Sequence, residues 1–99
     1  MTELIVKSAN KAEHKAAKAI LREALNRQKK MFQTALLRTK ENLEFFEKRY
    51  NTDTASFFAK YQRGETDDRD DYIDWAGEFQ IFQSIQNQIG YLEELVLCK

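Results

Sequence analysis

The stretch Gly64-Glu65-Thr66-Asp67-Asp68-Arg69-Asp70-Asp71-Tyr72-Ile73-Asp74-Trp75 decides the fold of this chain. It holds the single Trp and six of the ten acidic residues of the C-terminal half. Gly64 stands where a helix stop wants a residue tolerant of positive φ. Thr66 or Asp67 then restarts the chain as a second long helix, expected to run to about Leu97. Asp67, Asp68, Asp70 and Asp71 fall in its first turns, where negative charge meets the positive end of the helix dipole. The stretch therefore reads as the bend between two long helical patterns.

Upstream of the bend nothing breaks a helix from Thr2 to about Tyr50. The second half of that pattern carries a seam at Leu25, Gln28, Phe32, Leu36, Thr39, Leu43, Phe46 and Tyr50. Its steps of three and four hold one helix face against a neighbour, with Gln28 and Thr39 as polar interruptions. Downstream, Tyr72, Trp75, Phe79, Phe82, Ile85, Ile89, Leu92 and Val96 form a matching face, with one short step that marks a slip. Between the two, Asn51-Thr52-Asp53-Thr54 offers caps for a short helix through about Gln62. Phe57 and Phe58 would pack that helix onto its neighbours. The expected fold is all-α: an antiparallel helical hairpin, residues 21–50 and 66–97, joined by a short helix over 53–63, with coiled-coil-like packing.

The chain has 99 residues, no proline and three glycines. That length supports one domain, residues 1–99, and a thin core that seeks a partner, so a homodimer is expected. Gly77 and Gly90 are interior helix positions that cost about 1 kcal/mol each relative to alanine. Close contact with a neighbouring helix is the expected reason for them. No window approaches the apolar length of a membrane span, and the N-terminus lacks a signal-peptide core. The lone Cys98 fits a reducing compartment, so a cytoplasmic location is expected.

Net charge is zero but unevenly spread. Residues 1–51 carry twelve Lys and Arg against six Glu, +6, and residues 52–99 carry four against ten Asp and Glu, −6. At the N-terminus, Lys7, Lys11, Lys15, Lys18 and Arg22 keep to one side of a helix through steps of four, four, three and four. Beside them the apolar positions are mostly alanine, so residues 1–20 are expected to project past the second helix, or to fold back at a break near Ala9-Asn10. A solvated face explains such a stripe, and binding to phosphate or to an acidic protein surface is the functional alternative. The aromatic interleaving of a single-strand platform is missing.

Asp67, Asp71, Asp74 and Glu78 follow steps of four, three and four along one helical face. Asp67 to Glu78 spans twelve positions like a calcium loop, yet Arg69 stands at a ligand position and Tyr72 where the turn needs glycine. Glu-x-x-His pairs, phosphate-binding glycine loops and zinc-ligand clusters are absent from the sequence. No metal, cofactor or catalytic residue is expected, and the chain is not read as an enzyme. The acid cluster serves either as helix-start charge or as a docking face for a basic partner.

Residues 54–97 carry Phe57 and Phe58, Tyr61, Gly64, Asp67 and Asp68, Asp71, Asp74-Trp75 and a following apolar helix. In this pattern the chain resembles small helical antitoxin-like proteins of prokaryotic toxin–antitoxin loci, which commonly have Glu where this chain has Asp74. The resemblance implies a helical hairpin that binds and neutralises a toxin-like partner protein. Its contacts would be Asp67, Asp71, Asp74, Trp75 and Glu78. The alternative is a nucleic-acid-binding or structural coiled-coil protein using Lys7, Lys11, Lys15, Lys18 and Arg22.

Overall fold

The computed structural model describes residues 11–97, with side chains through residue 95. Lys7, the Ala9-Asn10 position and Cys98 lie outside the described residues. Among the described residues three helices follow one another: α1 over Lys11–Tyr50, α2 over Thr54–Gln62 and α3 over Asp70–Leu97. Among the described residues there is no β-strand. Among the described residues no helix is long and apolar enough to cross a membrane.

The helix ends follow from local chemistry. Asn51, at φ 51°, stops α1 in the left-handed region that asparagine tolerates. The Thr52 N–H then donates back to the Glu47 carbonyl at 3.2 Å. Gly64, at φ 73°, ends α2 in the same way. There Glu65 N–H reaches the Lys60 carbonyl at 2.9 Å and Gly64 N–H the Tyr61 carbonyl at 3.0 Å. Both are Schellman closures, which satisfy carbonyls that a helix end leaves without partners. Asp53 caps the start of α2, accepting from Ser56 N–H at 3.0 Å.

The start of α3 differs from the sequence expectation. The helix begins at Asp70, not at Thr66 or Asp67. The Asp67 carboxylate takes both the backbone N–H of Arg69, at 3.1 Å, and its guanidinium, at 2.9 and 2.7 Å. That closed local pair holds residues 67–69 out of the helix, and the Arg69 carbonyl accepts the first α3 bonds from Tyr72 and Ile73.

Helices α1 and α3 pack together. Cross-helix contacts join Tyr50 to Asp71, Asn42 to Glu78 and Lys29 to Glu93, in opposite chain order. Each pair of numbers adds to 120–122, so Leu97 falls level with about residue 24 and α1 residues 11–23 run on past α3. The described residues measure 61 × 22 × 20 Å.

The core gathers at the bend: Leu43, Phe46, Phe57, Phe58, Trp75 and Ala76 are buried. Towards the other end the seam is only half-buried, through Leu36, Phe32 and Leu25 on α1 and Ile85, Ile89 and Leu92 on α3. Thr39 is buried without cost because its hydroxyl donates to the Ala35 carbonyl at 2.9 Å. Gln28, placed on the seam by spacing, is exposed.

One relay ties all three helices. Trp75, 1 % exposed, donates its indole N–H to Thr54 Oγ1 at 3.0 Å. The same hydroxyl donates to Glu47 Oε2 at 2.7 Å, and Thr54 N–H reaches that oxygen at 2.9 Å. Glu47 comes from α1, Thr54 from the first residue of α2, and Trp75 from α3. The Trp75 ring lies parallel to Phe57, with centroids 3.9 Å apart, and stacks against Phe46 and Tyr50 at 5.7 and 5.8 Å. Buried aromatic area dominates the energetics of so small a core.

The two helical glycines do not mark close helix contact. A Cβ built at Gly77 or at Gly90 would meet nothing within 4 Å. The expectation of tight packing at both positions is therefore corrected.

Candidate functional site

The acidic residues at the bend divide by what already holds them. Asp67 is bound to Arg69, whose guanidinium and backbone N–H hold its carboxyl down at about 2, well below the usual range. The same contact, with a further one from Tyr50, pushes the Arg69 pKa up. Arg69 also lies over the Tyr72 ring at 4.5 Å. Glu65 is paired with Arg63 at 2.8 Å, which lowers its pKa. Asp71 accepts the Tyr50 phenol at 2.6 Å and lies 3.5 Å from Arg49. That hydrogen bond is the main cause of the raised Tyr50 pKa.

Asp67 and Asp71 therefore each already hold a partner at the bend, Asp67 on the surface and Asp71 half-buried. Asp67 is also not on the helix, so the four-residue face of Asp67, Asp71, Asp74 and Glu78 does not exist as read. Trp75 is core and presents no contact surface. The exposed Asp68, Asp70 and Asp74 carry no ion pair or hydrogen bond to a described residue. Glu78 is half-buried and accepts from Asn42 Nδ2 at 3.1 Å with one oxygen.

Asp74 and Glu78 rim a groove of about 440 Å³ between α1 and α3. Its walls are Phe45, Phe46, Ile73 and Ile81, and Gly77 forms part of its floor. Phe45 is 56 % exposed, Ile73 49 % and Ile81 50 %, so three large apolar side chains face solvent together. Ile73, Gly77 and Ile81 are spaced by four and stay on one face of α3, with Asp70 and Asp74 one turn apart beside them. Gly77 bares the helix backbone at the floor, which explains a glycine there that internal packing does not.

Sequence reasoning missed the apolar half of this site. Phe45 sits next to the seam residue Phe46, and only the crossing of α1 over α3 shows that one ring turns in and the other out. The signal was the off-seam spacing of Ile73, Gly77 and Ile81.

The basic stripe lies at the other end. Lys11, Lys15, Lys18 and Arg22 are all exposed, on the part of α1 that has no α3 opposite it. No ion pair joins them to a described residue. Among the described residues no three His, Cys, Asp or Glu side chains converge as a metal site would require. Comparison with protein-family models, curated proteins and solved structures gives no match to this chain.

Proposed function

We propose that this chain is a non-enzymatic protein-interaction module, a helical hairpin of antitoxin-like kind that binds and neutralises a basic partner protein. The observation that carries this reading is the exposed groove of Phe45, Ile73 and Ile81 rimmed by Asp74 and Glu78. An apolar groove between two helices takes an amphipathic helix, and carboxylates at its rim select lysine and arginine flanks. The contact set is accordingly Asp70, Asp74 and Glu78 with the three apolar walls, and Trp75 holds α3 in place beneath it.

A labelled synthetic amphipathic helix with a leucine face and lysine flanks tests the groove directly. It should bind with a Kd on the order of micromolar, and its glutamate-flanked counterpart should not. The variant Asp70→Asn, Asp74→Asn, Glu78→Gln should bind the lysine peptide at least about tenfold more weakly, because rim charges set partner choice. Helix content should be unchanged. Equal affinity for the two peptides would sink the reading.

Gly77→Ala gives a second, sharper expectation. The position is helical and open, so alanine should stabilise the fold by about 0.5–1 kcal/mol in urea unfolding. The added methyl rises from the groove floor, so peptide affinity should fall while stability climbs. A more stable variant with undiminished affinity would remove Gly77 from the site.

A second reading has its own observation, the exposed Lys11, Lys15, Lys18 and Arg22 on the unopposed part of α1. These would contact nucleic-acid phosphate. Binding of an oligonucleotide that weakens steeply with salt, and is lost when the four become glutamine, would favour it over the groove.

A further inference from the structure

We infer that the groove side of the helix pair seats a second copy of this chain, antiparallel, so that two copies make a four-helix bundle. The inference rests on the groove being a docking site and extends that site along the whole molecule. On α1 the exposed Ile20, Met31 and Phe45 are 11 and 14 residues apart, close to three and four helical turns, so they share one side. On α3 the exposed Ile81, Tyr91 and Leu95 continue the stripe begun by Ile73 and Gly77. Because Phe45, Ile73 and Ile81 line one groove, the two stripes lie on one side of the pair. Leu37, as exposed as Met31, lies off this side. These exposed apolar side chains, gathered on one side of so small a protein and densest at the groove, mark an interaction surface.

Charge selects the occupant and its direction. With paired positions adding to about 121, the bend half is residues 38–83 and the far half is 11–37 with 84–97. The bend half holds seven Lys and Arg against eleven Asp and Glu, 7 − 11 = −4. The far half holds seven against four, 7 − 4 = +3. An antiparallel second copy sets −4 beside +3 at both ends, whereas a parallel copy sets like against like.

In an antiparallel pair the part of α1 that outruns its own α3 lies towards the bend of the other copy and so gains a neighbour. Ala16, Ala24 and Gly77 on this side allow the helices to approach.

Sedimentation equilibrium tests the pairing. The full chain should be a dimer at tens of micromolar, and Phe45→Glu or Ile81→Glu should weaken it at least about 30-fold. Both side chains are exposed in the single copy, so circular dichroism should show unchanged helix. Leu37→Glu, equally exposed but off the face, should leave the dimer intact. In a Cys98→Ser background, spin labels at Lys48→Cys should lie more than about 30 Å apart, because an antiparallel pair sets the two bends at opposite ends. A label distance under about 30 Å, or a dimer untouched by Ile81→Glu, overturns the inference. So does a monomeric chain at about 200 μM. If that monomer still binds the lysine-flanked peptide, the groove stands and only the second copy is lost.

Discussion

Trp75→Ala is expected to cost about 3–5 kcal/mol of folding stability, the range for truncating a fully buried tryptophan. Stability of a chain this long is typically about 5–15 kcal/mol in all, so the variant should lose a large part of its cooperative unfolding. Trp75 is the largest fully buried side chain and touches aromatic rings from every helix: Phe46 and Tyr50 of α1, Phe57 of α2 and Tyr72 of its own α3. Removing it empties a place where the three helices meet. The cavity can close only by moving α2, which is held elsewhere by Phe58 against Phe79, with centroids 4.9 Å apart. Urea unfolding followed by circular dichroism measures the loss, since the variant has no tryptophan to report. A loss below about 1 kcal/mol, the range of surface substitutions, would show that the ring does not hold the bend.

The periodic part of this fold was legible because burial has a period. Leu43, Phe46 and Tyr50 on α1, and Trp75, Phe79 and Phe82 on α3, recur at steps of three and four, and all six are at or against the core. Asp53 and Gly64 were legible for a different reason: a cap and a left-handed stop use the residue's own chemistry within a few positions. What stayed hidden depends on contacts across the chain. Asp71 looks like its acidic neighbours in sequence, and only the approach of Tyr50, 21 positions earlier, takes it out of the surface. Asp67 is removed by a residue two positions away, Arg69, a local pairing that a helix-start pattern conceals. The groove needed both Phe45 and the α3 stripe, and neither alone distinguishes a docking wall from an isolated exposed apolar residue. Gly77 was read as a packing device, whereas the open space above it makes it a floor.

Thr54→Val should cost about 1–3 kcal/mol, the penalty for leaving a buried polar group without its partner. The substitution keeps side-chain shape and removes one hydroxyl. That hydroxyl is the shared atom of the relay, accepting from the Trp75 indole at 3.0 Å and donating to Glu47 at 2.7 Å. With valine the indole N–H points at a methyl group in a site that is 5 % exposed at Thr54 and 1 % at Trp75, too closed for water to replace it. Glu47 keeps the backbone N–H of residue 54, so its carboxylate is not stranded. Thr54→Ser is the control: it deletes a methyl and keeps the oxygen, and should cost under about 1.5 kcal/mol, the loss of one buried methyl. If serine and valine destabilise equally, the position matters for packing and the relay is incidental. If valine alone is costly, the three helices are joined at Thr54 by polar contact as well as by ring stacking. A looser α3 would then shift Ile73, Asp74 and Gly77 together, so Thr54→Val should also weaken binding of the lysine-flanked peptide without touching the groove.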